Sequence, residues 1–203
     1  MTRVLRSLVL IVPLLGACRP DVPNLDSRGR TIVVLGDSIA AGFGSGAGEA
    51  FPDLLAEKLG TEVVNAGVSG NTTADGLRRV DEAMDEDPWM VIVELGGNDI
   101  LRRVPPEQTE ANLRRILERV IAGRAVPVLV EIDAPFAGRY REIYERLGDE
   151  LDVPVVEDVV GEILRDPSLK SDQIHPNAAG QRKLAEGIAE EIQPLLAAHR
   201  KAR

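Results

Sequence analysis

The chain has one cysteine, two histidines and few aromatic residues, 3% of 203 positions, and its 24 basic residues are outnumbered by 33 acidic ones. Each shortage excludes something. A single cysteine, Cys18, cannot build an internal disulfide framework. Chemistry that needs an imidazole must use His175 or His199. With so few aromatics and 44% hydrophobic residues, the core must be aliphatic. A net charge of -9 lacks the basic footprint of a nucleic-acid binder, but leaves open an enzyme acting on neutral or amphipathic substrates. There is no internal repeat, no low-complexity tract and no Ser/Gly linker. The length suits one domain with a proper core.

The N-terminal apolar stretch, residues 8–15, is far too short to span a bilayer, which takes about 20 residues. It follows Arg3 and Arg6 and precedes Leu15-Gly16-Ala17-Cys18, the layout of a signal peptide with a small-residue cleavage site. The Leu-Gly-Ala-Cys ending resembles the lipobox of bacterial lipoproteins, which implies that residues 1–17 are removed and Cys18 carries lipid. Removal takes away two arginines and no acid, so the remaining acidic chain would meet a membrane only through that lipid. The implied location is the bacterial cell envelope, on the periplasmic side of a membrane. Arg19 in place of an aspartate favours the outer membrane under the enterobacterial sorting rule. Residues 18–30, with Pro20, Pro23, Asn24, Ser27 and Gly29, read as a tether ahead of a domain at 31–198.

The domain alternates strands and helices. Residues 32–35, Ile-Val-Val-Leu, make a buried parallel strand ended by Gly36, with Asp37 and Ser38 directly after it. A serine at a strand's carboxyl end lies where α/β folds bind ligands, so Ser38 is a nucleophile candidate, although serine also caps helices well. Gly42, Gly44 and Ala47 match G-x-G-x-x-A, but the match begins six residues past Gly36, whereas the dinucleotide fingerprint starts directly after its strand. Phe51-Pro52 opens a helix stopped by Gly60. A strand at 62–66 leads into the Gly67–Gly70 turn and a helix capped by Thr72 or Thr73. Ser69 in that turn is a rival nucleophile, better read as a turn former.

The third strand, 89–95, is apolar except for Glu94 and ends in Gly96-Gly97-Asn98-Asp99, read as a turn. Pro106 starts a helix whose Leu113, Ile116, Leu117, Val120 and Ile121 form one apolar stripe. A strand at 127–132, a helix at 139–151 and a short strand at 154–156 follow. The closing helix is capped by Asn177 and buries Leu184, Ile188, Ile192 and Leu195. His175 stands in the loop before it, while His199 in the tail reads as solvated. This order implies an α/β fold with a parallel sheet and right-handed crossovers.

A serine nucleophile needs a base in reach, and His175 is the plausible one. Asp172 can orient its ring if the loop between them turns back. The N–H groups of Ser38 and Gly70 and the side-chain amide of Asn98 are suitable oxyanion donors. Four blocks in this order, Gly36-Asp37-Ser38, Gly67 to Gly70, Gly96-Gly97-Asn98-Asp99 and Asp172-Gln173-Ile174-His175-Pro176, resemble the SGNH hydrolases, also called the GDSL lipase family. More narrowly, Val93 to Asp99 and the Gln108-Thr109 stretch are similar to its acyl-thioesterase I, lysophospholipase L1 and arylesterase group. The first block has Ile39 where the family motif usually has leucine.

The resemblance implies a three-layer α/β/α, flavodoxin-like fold with a five-stranded parallel sheet. Its catalytic residues would be Ser38, Asp172 and His175, and its oxyanion hole Ser38, Gly70 and Asn98, with no metal and no organic cofactor. The activity implied is hydrolysis of short- to medium-chain acyl esters, or of thioesters or lysophospholipids, through an acyl-serine; the sequence does not fix the oligomeric state, and a monomer is the expectation. Two other readings remain: a carbohydrate O-acetylesterase of the same fold, favoured by a shallow polar site, and a non-catalytic envelope lipoprotein. Residues 133–139 look shorter than the family's loop beside the acyl site, which argues against carrying over its chain-length preference.

Overall fold

A computed structural model describes residues 22–134 and 137–202. Five parallel strands form one sheet: β1 (Thr31–Gly36), β2 (Val63–Gly67), β3 (Pro88–Glu94), β4 (Val126–Val130) and β5 (Val155–Val156), in the order β2-β1-β3-β4-β5. Every residue of β1, β3 and β4 is buried, which is why these strands read as continuous apolar runs rather than alternating ones. The helices form two groups. One holds α1 (Phe51–Leu59), α6 (Val159–Arg165) and α7 (Ala178–Ala202). The other holds α2 (Thr73–Met84), α4 (Pro106–Ala122) and α5 (Arg141–Leu151). The sheet lies between them, the α/β architecture expected from the alternation of elements.

Local chemistry explains the element ends. Thr72 caps α2 with a reciprocal capping box: its hydroxyl oxygen accepts from the Asp75 N–H while the Asp75 carboxylate accepts from the Thr72 N–H at 2.8 Å. Asn177 caps α7, its Oδ1 accepting from the N–H groups of Ala179 and Gly180 at 3.0 and 3.1 Å. The stripe of α7 is buried as its spacing requires, as is that of α4 apart from Ile121, which is partly buried.

Four expectations need correction. The first is Gly97–Leu101, a short helix, α3, rather than a turn; α6 contradicts no expectation, since none was made there. The fourth strand ends at Val130, so residues 131–134 form a loop above it.

The third correction concerns residues 22–30, which are part of the fold rather than a tether. Val22 and Leu25 pack on the core, and Ser27 is buried. The Asn24 amide donates to the carbonyls of Ile121 and Ala125 at 2.8 and 3.0 Å, where α4 ends, and Asp26 pairs with Arg124. Polar and proline-rich composition correctly marks irregular backbone, but the Asn24 and Asp26 side chains bind it to the segment that closes α4. Residues 18–21, Cys18 and the expected signal segment 1–17 lie outside the described residues.

His199 is the fourth. It is buried, stacked on Trp89 with ring centroids 4.2 Å apart, and its Nδ1–H donates to the Leu25 carbonyl at 2.9 Å. It sits four residues beyond Leu195 and so continues the buried stripe of α7. His199→Ala should lower unfolding free energy by about 2–3 kcal/mol, through the lost ring packing and the orphaned carbonyl. Urea denaturation measures this, and an unchanged midpoint would return His199 to solvent.

Candidate active site

Strands β1, β2 and β3 end level with one another, Gly36 standing in register with Gly67 on one side and Glu94 on the other. The turn after β1 therefore meets the turns after its two neighbours. Gly36 is required there: a Cβ on it would stand 2.5 Å from the Ala40 Cβ and 2.9 Å from Glu94 Oε2. The chain then folds into a tight turn, in which Asp37 Oδ1 accepts from the Ile39 N–H at 3.0 Å and the Phe43 N–H donates to the Ser38 carbonyl at 2.9 Å. Ser38 thus stands in a turn pinned on both sides.

Its Oγ lies 3.1 Å from His175 Nε2, although the two residues are 137 positions apart. The His175 loop does turn back on itself. Asp172 Oδ1 accepts from the N–H groups of Ile174 and His175, both at 2.8 Å, and Oδ2 lies 2.7 Å from His175 Nδ1. The two backbone donors, Ile174 foremost, together with His175 hold the Asp172 carboxyl down at about 2, so it is a carboxylate over the whole neutral range although its side chain is 44% exposed. With Nδ1–H donated to that carboxylate, Nε2 is left to accept from the Ser38 hydroxyl. Phe43 covers the imidazole, ring centroids 4.4 Å apart.

Ser69 also faces the site, but its hydroxyl makes no hydrogen bond among the described residues, so it has no base. Gly42 and Gly44 lie in turns that open no helix before Phe51, which removes the dinucleotide reading. No cluster of His, Cys, Asp and Glu among the described residues is arranged to hold a metal ion.

Ser38, Gly70 and Asn98, the expected oxyanion donors, border the same pocket as His175. The N–H groups of Ser38 and Gly70 donate to no protein acceptor among the described residues. Gly70 has φ +82°, a left-handed conformation suited to glycine, and its carbonyl accepts from Arg102 at 2.8 Å. Asn98 comes from the first turn of α3. Its Nδ2 donates to Asp37 Oδ2 at 2.9 Å and to the Asn71 carbonyl at 3.0 Å, so the amide is oriented by two acceptors. Helix α3 is itself held by buried Asp99, which accepts from the Thr73 N–H and hydroxyl at 2.8 and 2.5 Å.

Beside this point opens a cleft of ≈ 620 Å³. Its walls are largely apolar: Ile100 and Leu101 of α3, Ile132 and Ala134 of the loop after β4, and Val160 and Leu164 of α6. The α6 wall was missed from sequence, though Val160 and Leu164 stand four apart, a one-face spacing. Two buried acids lie beneath the site and were likewise not singled out. Burial, partly offset by the Ile39 N–H and the Asn98 amide, raises Asp37 from 3.8 to about 6. Glu94 is raised well above the usual carboxylate range by burial and then by the charge of Asp37. The visible signal was one charged residue in an otherwise apolar strand.

Residues 34–183 match the GDSL-like Lipase/Acylhydrolase family. A relative named thioesterase 1/protease 1/lysophospholipase L1, from Escherichia coli (strain K12), is 42% identical over 176 residues, covering 82% of this chain and 85% of its own. Esterase TesA of Pseudomonas aeruginosa is 34% identical over 182 residues, covering 82% of this chain and 90% of its own. A crystal structure of TesA superposes with a TM-score of 0.78 at 30% identity, over 82% of this chain and 99% of that one.

The buried Asp37 carboxyl gives a signed pH effect. Its folded-state value lies above the unfolded one, so it favours the fold below about pH 4, and this contribution is lost as pH rises through about 6. Asp37→Asn removes the titration. The stability of the variant relative to wild type should therefore rise between pH 4 and pH 7 in chemical denaturation. A difference independent of pH would remove Asp37 as its source.

Proposed function

The chain belongs to the GDSL-like Lipase/Acylhydrolase family, and from that membership and the geometry of its site we propose that it is a serine esterase acting on short- to medium-chain acyl esters. The observation that carries the reading is the Ser38–His175–Asp172 chain of hydrogen bonds opening onto an apolar cleft. In the proposed reaction Ser38 Oγ attacks the ester carbonyl carbon while its proton passes to His175 Nε2. The carbonyl electron pair moves onto oxygen, which accepts hydrogen bonds from the N–H groups of Ser38 and Gly70 and from the Asn98 N–H that gives up the Asn71 carbonyl for it, while the other Asn98 N–H stays on Asp37. Collapse breaks the ester C–O bond, and the leaving alcohol takes the proton from His175. Water then gives a proton to the same nitrogen and attacks the acyl-serine, and collapse breaks the bond to Ser38 Oγ, which takes the proton back from His175 as the acid leaves. Asp172 stays ionised throughout and stabilises the imidazolium formed twice in the cycle.

The cleft supports an acyl chain over a sugar ring. A hydrocarbon chain laid along Ile132, Ala134, Val160 and Leu164 is removed from water, whereas a sugar would bring hydroxyls to a wall with few partners. The names of the relatives, which include thioesterase and lysophospholipase, support the same class of acyl substrate. For the N-terminus we propose lipid attachment at Cys18, on the strength of Leu15-Gly16-Ala17-Cys18, which would place the protein in the cell envelope.

Three experiments test these readings. On p-nitrophenyl esters, Ser38→Ala and His175→Ala should each abolish turnover in a folded protein, and Asn98→Ala should lower kcat by about 10²–10³. Rates across an acyl-length series should exceed those on acetylated sugars, and the reverse order would favour the carbohydrate O-acetylesterase. Separately, Cys18→Ser should move the protein from the membrane to the soluble fraction on fractionation, and no shift would sink the anchor.

A further inference from the structure

Directly beneath the Ser38 turn lies a carboxyl group that the proposed reaction does not use. Glu94 ends β3 with its side chain fully buried. Its Oε2 accepts from the N–H groups of Asp37 and Ala40 at 3.4 and 3.3 Å, the residues that bracket Ser38 and Ile39. Its Oε1 has no hydrogen-bond partner among the described residues. A buried polar atom without a partner is destabilising, and proteins keep few of them. The molecule also makes room for it: Gly36, in register with Glu94, leaves open the space that a Cβ would take 2.9 Å from Oε2.

The neighbour of this carboxyl is Asp37, itself buried, and Asp37 reaches both halves of the site. Its Oδ1 accepts from the Ile39 N–H, inside the nucleophile turn, and its Oδ2 accepts from Asn98 Nδ2 at 2.9 Å. Glu94 therefore holds the backbone of a residue whose side chain holds the oxyanion amide. Two adjacent buried carboxyls do not both ionise readily, and Asp37 has the closer donors, at 3.0 and 2.9 Å, whereas Glu94 has only two long backbone contacts. That leaves Asp37 to carry the charge that orients Asn98.

We propose that Glu94 is a positioning residue of the ester hydrolysis. Its carboxyl holds the turn from Asp37 to Ala40 so that the Ser38 hydroxyl and the Asn98 amide stay aimed at one reacting carbonyl. The site keeps an unsatisfied oxygen in the core because an apolar side chain of the same shape offers no acceptor to that turn. This inference rests on the proposed Ser38 chemistry and adds a residue to it that touches neither substrate nor reacting atoms.

Glu94→Gln keeps an acceptor oxygen and is neutral, so it should retain kcat. Glu94→Leu removes the acceptor, and Glu94→Asp withdraws it by one methylene, which serves where the leucine variant does not fold. Each should lower kcat by about 10–10², the scale of a small misplacement of reacting groups, with KM for the same ester unchanged. Concentrations of competent enzyme come from active-site titration. Affinity for an alkylboronic acid, which mimics the tetrahedral adduct on Ser38, should fall by the same factor as kcat. A purely structural role would lower the melting temperature while the folded fraction kept its kcat and its boronate affinity. That result overturns the proposal, as does a Gln variant as impaired as the Leu variant. The Ser38→Ala control separates the two claims. If it is inactive while Glu94→Leu is fully active, only the role of Glu94 falls; an active Ser38→Ala overturns the nucleophile assignment and this inference with it.

Discussion

The parallel register that sets Gly36 between Gly67 and Glu94 governs the rest of the site. Three strands reach the same level and stop, so their three turns compete for one small volume. Only residues with little or no side chain, or with a side chain that hydrogen-bonds to neighbouring backbone, can fill it. Gly36, Ala40 and Gly67 meet the first condition, and Asp37, Asn98 and Glu94 meet the second. Because side chains alternate along a strand, a slip of one residue in β3 would turn Glu94 away from the Ser38 turn and carry Asn98 out of reach of Asp37. The catalytic geometry is thus a property of sheet pairing before it is a property of any loop.

What could be read from the sequence, and what could not, divides along the same line. Signals that act over a few residues were legible: the buried run of β1, the stripes of α4 and α7, the caps at Thr72 and Asn177, and an aspartate three residues before its histidine. Features made by distant contacts were not. Helix α3 begins Gly-Asn-Asp, a poor start by propensity, and exists because buried Asp99 is gripped by Thr73, 26 residues away. Residues 22–30 look like loop because they are loop, and their packing on Ile121 and Ala125 leaves no local trace. The closeness of Ser38 and His175 was expected from the order of motifs and a family resemblance. Neither supplies the 3.1 Å that the fold provides.

The site also shows how its parts differ in rigidity. Asp172 is partly exposed yet strongly ionised, since its backbone donors travel with it in the same short loop. Asp37 and Glu94 are fully enclosed, where charge is costly and the environment cannot relax. The base is therefore oriented by a compact local turn, while the nucleophile and the amide are oriented by the core. Substitutions in the core beneath Ser38 act on the site with no contact to substrate.

One further consequence follows from residues 22–30. They lie at the amino-terminal edge of the sheet, where Arg30 N–H meets the Asp87 carbonyl just before β3 and His199 meets Leu25 at the end of α7. The cleft opens at the carboxyl edge, one strand length away, roughly 20 Å for the six residues of β1. The molecule has a back and a front. If the back is fastened to a surface, the mouth of the cleft faces away from that surface, and substrate arrives from the opposite side rather than from the layer that holds the protein.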